Sequence, residues 1–194
     1  IDFAHADLNV AADCFTAYSS CQDDAGHGTH VAGIVAALEN NLDVLGVAPG
    51  ATVYAVKPLD SQGSGSDADV IAGLNWVLAE AQAASPPIRV VNMGLGRPAS
   101  PDPADDAAME AAVSALVGVN IAVVVSAGND RTKEITDKVP AGFVNVMAVA
   151  SSTAQDGAGP TEGRCSGMQV LADTASMFTT DGGGVAISAP GNSH

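Results

Sequence analysis

An imidazole at the mouth of an apolar helix is the first group in this chain whose type and position could do chemistry. In Asp24-Ala25-Gly26-His27-Gly28-Thr29-His30-Val31-Ala32-Gly33, His27 stands where a loop enters a helix. A side chain with an ordinary pKa of about 6.5 gives and takes protons near neutrality, so His27 is a candidate general base. A lone histidine is more often packed than catalytic, and its neighbours must decide. Zinc is not favoured, because helical H-E-x-x-H pairs sit four residues apart around a glutamate, whereas His27 and His30 are three apart around Gly28-Thr29. His30 reads as a packed helix residue.

Gly63-Ser64-Gly65-Ser66-Asp67-Ala68 matches the G-x-G-x-x-A pattern of dinucleotide binders, but the next strand ends at Asn92-Met93-Gly94 without the acidic residue that would hold a ribose. The same glycines suit a loop that lies against an extended peptide, since glycine lets another backbone approach closely.

The elements that must position these residues alternate. Val31, Ile34, Val35 and Leu38 recur at helical spacing after His27, which predicts a buried helix. Residues 51–57 are β-branched and bounded by turns, a strand. Ser66 can cap the next helix, with Asp67 and Asp69 in its positive first turn and Val70, Leu74, Val77, Leu78 and Ala81 on one stripe. Ser85-Pro86-Pro87 stops it, and 88–93 reads as a strand. Asp102-Pro103 opens a helix that ends near Gly118, and strands follow at 121–126, 143–149 and 185–188. The run 121–126 is apolar throughout, as in a strand covered on both faces. This order predicts an α/β fold with a parallel sheet and helices on both faces. Chemistry in such sheets gathers beyond the carboxyl ends of the strands, where Gly94-Leu95-Gly96 and Ala127-Gly128-Asn129 fall.

With 194 residues, 47% of them hydrophobic, the chain suits one globular domain with a sizeable core. A net charge of −15, from 22 acidic against 7 basic residues, argues against nucleic-acid and anionic-membrane partners. No apolar run approaches the roughly 20 residues that cross a bilayer. Cys14 and Cys21 flank a short polar loop and could pair in an oxidising compartment, with Cys165 left over; three reduced thiols fit the sequence equally.

His27-Gly28-Thr29-His30-Val31-Ala32-Gly33, Asn92-Met93-Gly94-Leu95-Gly96, Ser126-Ala127-Gly128-Asn129 and Ala189-Pro190-Gly191 occur in the order and approximate spacing of subtilisin-like serine proteases. The chain resembles these subtilases over nearly its whole length. The resemblance implies a three-layer αβα subtilisin-like fold with a mainly parallel central sheet, truncated at both ends, and residues 1–194 as a single incomplete catalytic domain. It also implies that His27 is the general base and Asn129 the oxyanion donor. Gly63, Ser64 and Gly65, with Gly94, Leu95 and Gly96, resemble the segments that hold a polypeptide substrate as an added strand, and Ser126, Ala127 and Gly128 resemble a pocket wall. Gly94 stands where a serine is common. Asp7 and Asn40 side chains, with the carbonyls of Leu38, Leu42 and Val44, resemble a structural calcium site whose amino-terminal ligand has no counterpart here. A secreted protein is implied, with a propeptide or complementing fragment as a further partner.

Two departures concern the triad. The chain opens at Ile1-Asp2-Phe3 as if at a cut edge, which places the family's catalytic aspartate just before Ile1, and Asp2 is not its substitute. Ala189-Pro190-Gly191-Asn192-Ser193-His194 resembles the strand end before the nucleophile helix, so Ser193 is not the nucleophile. The expectation is a serine endopeptidase domain that is inactive as these 194 residues alone. The alternative is a non-catalytic subtilase-like module that grips peptides or calcium.

Overall fold

The computed structural model describes residues 1–41, 44–81, 83–153, 163–165, 168–170 and 174–192, with 163–165, 168–170 and 192 described by their backbone. The chain divides into two compact units, Ile1–Arg89 and Val90–His194.

In the first unit, β1 (Val10–Thr16) and β2 (Val53–Lys57) pair in parallel. Helix α1 (His27–Ala36) precedes β2, and α2 (Asp67–Glu80) follows it. Ser66 caps α2 as expected: its Oγ accepts from the Asp69 N–H, and the Asp69 carboxylate accepts from the Ser66 N–H. That reciprocal box satisfies donors that the helix cannot pair, and such a cap contributes about 1 kcal/mol. Gly73 lets α2 lie close to the strands, since a Cβ there would stand 2.7 Å from Val56 and 3.4 Å from Phe15.

In the second unit the parallel order is β10-β7-β5-β3, formed by β3 (Val90–Met93), β5 (Ala122–Ser126), β7 (Met147–Thr153) and β10 (Ile187–Asn192). Helix α3 (Pro103–Gly118) connects β3 to β5 and starts as expected, with Asp102 accepting from the Ala104 N–H at 2.9 Å and proline in the first turn. Short β4 (Arg97–Pro98) and β6 (Lys138–Val139) pair antiparallel, as do β8 (Gly163–Cys165) and β9 (Met168–Val170). Pairing is thus mainly parallel, with helices flanking the strands, and the α/β class stands.

Packing separates the two faces of the larger sheet. Met93, Val123, Val125, Ala148 and Ala150 are buried, as are Met109, Ala112, Val113 and Leu116 of α3. The alternate positions Val90, Met147 and Ile187 are 57%, 50% and 56% exposed. The apolar run of β5 therefore does not mean burial on both faces: Val123 and Val125 are buried, whereas Ala122 and Ser126 are exposed.

Several expectations move. Strand β1 was not foreseen, because Ala11, Ala12 and Asp13 hide its pattern. The strand expected at 143–149 is displaced to Met147–Thr153, since the Phe143 N–H turns back to the Pro140 carbonyl at 3.0 Å. The strand expected at 185–188 begins at Ile187, after a turn that bonds the Val185 N–H to Gly182 at 3.1 Å. Helix α1 ends before Leu38, whose N–H donates instead to the Asp7 carbonyl at 3.1 Å. Nor is α1 buried: Ala32 and Ala36 are, but Ile34 is 62% exposed, and His30 is exposed rather than packed. The Gly- and Ala-rich segment from Thr153 to Phe178 has no clear periodicity and is expected from its sequence to be an insertion; its residues 154–162, 166–167 and 171–173 lie outside the described residues.

Leu116→Ala should therefore lower stability by about 2–5 kcal/mol, because it empties a fully buried site, whereas Ile187→Ala should change it by less than about 1 kcal/mol. Urea unfolding measures both, and equal losses would contradict the assignment of buried and open faces.

Candidate active site

His27 is the first residue of α1 and is exposed. The helix has no side-chain cap at its own N-cap, Gly26, whose φ of 88° suits glycine. Asp23 does the work from outside the helix. Its carboxylate accepts from the N–H groups of Ala25, Gly26 and Thr29 at 3.0, 2.7 and 2.9 Å, and from the Thr29 hydroxyl. Thr29 Oγ1 in turn accepts from the Asp2 N–H at 2.8 Å. The loop before His27 is also tied to the end of β2, because Lys57 Nζ pairs with Asp24 at 2.8 Å and donates to the Gln22 carbonyl at 3.1 Å. Both peptide groups and charge therefore fix the backbone on either side of His27.

Burial opposes ionisation of Asp23, but the hydrogen bonds from Thr29, Gly26 and Ala25 together outweigh it and hold the carboxyl well below the usual carboxylate range. A lowered folded value means that the ionised group stabilises the fold above about pH 4, the unfolded value, and that this contribution drains away as pH falls toward the folded one.

Gly63-Ser64-Gly65 forms an exposed loop held by Asp60. The Asp60 carboxylate accepts from the Gln62 and Ser64 N–H groups, both at 2.9 Å, and the Asp60 N–H donates to the Ser64 carbonyl at 2.8 Å. The Tyr18 hydroxyl donates to that same carbonyl at 3.3 Å. Tyr18 lies in the loop closed by the Cys14–Cys21 disulfide, so the pairing left open by the sequence does form. Ser64's backbone is thus occupied, while among the described residues the Gly63 carbonyl and both backbone groups of Gly65 have no intrachain partner. Alternate residues with available groups are what a strand of period two pairs with.

In the second unit, Gly94-Leu95-Gly96 follows β3 and Ser126-Ala127-Gly128-Asn129 closes β5. Met93 pairs with Val125 in the ladder, so both segments leave the carboxyl ends of neighbouring parallel strands. Beyond Gly96, the Arg97 guanidinium pairs with buried Asp106 of α3 at 2.7 Å. Ala127 is buried, with its N–H on the Val149 carbonyl at 2.9 Å. Gly128 takes φ 102°, a conformation open to glycine, and Asn129 emerges exposed. An amide in that position can donate to a negative charge that develops beside it.

The residues expected to hold calcium are brought together in part. Asp7 is buried and accepts from Asn40 Nδ2 at 2.6 Å, while Leu38 lies against it through its N–H. No lysine or arginine pairs with Asp7 among the described residues. A buried carboxylate without a cationic side chain, beside an amide, suits a hard cation that takes oxygen ligands. Val44 is 54% exposed, and Leu42 lies outside the described residues.

Asp23, Asp60 and Lys57 were not singled out from sequence. Asp23 and Asp60 did carry a signal, since an aspartate just before glycine-containing turns bonds backbone groups two to four residues on. Asp23→Asn should be less stable than the native chain at pH 7, and the gap should narrow below about pH 4. Urea midpoints across that range test it, and a gap that stays constant down to pH 3 would contradict the role assigned to Asp23.

The family model described as the subtilase family matches residues 6–194. Subtilisin E of Bacillus subtilis (strain 168) is 36% identical over 189 residues, which cover 95% of this chain and 47% of that protein. Subtilisin Savinase of Lederbergia lenta is 36% identical over 191 residues, 97% of this chain and 66% of that protein. An alkaline protease of Alkalihalobacillus alcalophilus is likewise 36% identical, over 97% of this chain and 47% of its own length. The chain spans between about half and two thirds of the length of these relatives. With a match across all but its first five residues, and with the expected motifs at the helix mouth and the strand ends, this chain belongs to the subtilase family.

Proposed function

We propose that this chain supplies the general base, the oxyanion donor and the peptide-binding segments of a secreted serine endopeptidase. The observation that carries the proposal is the exposed Asn129 amide at the carboxyl end of β5, in a chain whose His27 heads a helix held by Asp23. Given a serine hydroxyl from outside these 194 residues, His27 would take its proton as the oxygen attacks the scissile carbonyl. The carbonyl oxygen would gain negative charge and accept from the Asn129 amide. His27 would then pass the proton to the leaving amine, and a water would repeat the sequence to release the acyl group.

The substrate would bind as an extended strand, paired with backbone groups of Gly63 and Gly65, and Gly94, Leu95 and Gly96 would form the second segment that the family resemblance implies. Ser126, Ala127 and Gly128 would line the pocket beside the scissile bond. No residue here resembles the orienting aspartate or the nucleophile, so the 194 residues alone would not turn over and would need a complementing segment. A propeptide is a further partner of this reading. The Cys14–Cys21 disulfide supports an oxidising, extracellular setting. Among the described residues no helix is long and apolar enough to cross a membrane.

In the protein that carries this chain with its serine and aspartate, Asn129→Ala should lower kcat by roughly 10²–10³ and leave KM nearly unchanged. His27→Ala should lose roughly 10⁶. Peptide binding without cleavage, in a protein indifferent to both substitutions, would favour the non-catalytic module instead.

Calcium, when bound, would serve as a structural cross-link held by Asp7, Asn40 and the Leu38 carbonyl. Chelation should then lower the melting temperature of the native protein, and Asp7→Ala should abolish that sensitivity. A melting temperature indifferent to chelator would remove calcium from the account.

A further inference from the structure

Asn129 stands on a loop, yet its backbone has little freedom. The Thr180 N–H donates to the Gly128 carbonyl at 3.0 Å, and Thr180 Oγ1 accepts from the Asp130 N–H at 3.1 Å and donates to the Asp130 carbonyl at 3.2 Å. The Gly128 carbonyl belongs to the peptide group before the Asn129 Cα, and the Asp130 N–H to the one after it. A single side chain and its own amide therefore hold both planes between which the φ and ψ of Asn129 are defined.

We infer that Thr180 is the positioning residue of the Asn129 amide, so that the donor is aimed before substrate arrives. Thr180 is fully buried, which removes water as a competitor for these groups. It is itself anchored from the sheet: the neighbouring Thr179 Oγ1 accepts from the Ser151 N–H of β7 at 2.9 Å, and the Thr179 N–H bonds to Ser176 at 3.1 Å. The clamp also accounts for Gly128. A Cβ there would lie 3.1 Å from Thr180 Oγ1, and its φ of 102° already disfavours other residues. Outside the clamp, Asp130 is held by the Thr132 hydroxyl at 2.7 Å and by Lys138 at 3.3 Å.

The hydroxyl, rather than bulk, is the active feature. Valine has the shape of threonine but would leave the Asp130 N–H without its acceptor, whereas serine keeps the oxygen. Misplacement of a catalytic group by about 1 Å can cost about a hundredfold in rate.

The inference rests on Asn129 being the oxyanion donor, and the two can fail separately. In the active protein that carries this chain, Thr180→Val should lower kcat by roughly ten- to a hundredfold with little change in KM, and Thr180→Ser should restore most of it. Amide exchange at Asp130 should quicken at least about tenfold in the valine variant and stay slow in the serine variant. If the valine variant does not fold, Thr180→Ala against Thr180→Ser reads the same hydroxyl at matched size. Should kcat survive loss of the hydroxyl while Asn129→Ala removes it, Thr180 does not position the donor and the oxyanion assignment stands. Should Asn129→Ala leave kcat intact, the oxyanion assignment fails, whatever exchange at Asp130 shows.

Discussion

The register of the parallel ladder is the constraint on which the second unit depends. Met93 lies opposite Val125, Val125 opposite Ala148, and Ala150 opposite Ser188, so one set of alternate side chains meets the buried face while the strand ends finish together. A slip of one residue would turn Met93, Val123 and Val125 to the open face and carry Asn129 away from its outlet. Burial of those side chains therefore fixes where Asn129, the proposed oxyanion donor, leaves the strand. The same pairing sets the segments after β3 and β5 side by side, which is why the candidate peptide-binding and pocket residues leave from neighbouring strands.

Beyond the strand ends, precision depends on how fully each loop's backbone groups are engaged. Three loops are held by three different side chains. Asp23 gathers the N–H groups before and inside the first turn of α1, Asp60 closes the loop of Gly63 and Gly65, and Thr180 brackets Asn129. Two are exposed or half-buried carboxylates acting over a few residues, and the third is a fully buried hydroxyl acting over fifty. Among the described residues the Gly63 carbonyl, both backbone groups of Gly65 and the Asn129 side-chain amide have no intrachain partner.

Much of this was legible in the sequence, for local reasons. Caps at Ser66 and Asp102, the apolar core of β5, and the motifs around His27 and Asn129 are each contained within a short window. What escaped was non-local. Strand β1 carries Ala11, Ala12 and Asp13, so only its pairing with β2 makes it a strand. Strand β7 runs into Ser151, Ser152 and Thr153, whose polarity suggests an end; Ser151 and Thr153 are instead bonded to Ser176, Thr179 and Thr174. Val144, which resembled part of that strand, is 91% exposed in a turn. Thr180 had no local signal, since its partners lie fifty residues away.

The central claim is that His27 is the base that activates a serine nucleophile, and the labelling rate of that serine by a fluorophosphonate tests it without reference to substrate preference. In the protein that carries this chain with its nucleophile, rapid labelling is expected with His27 present, and a loss of several orders of magnitude in His27→Ala. Labelling at the same rate in both proteins would contradict the account.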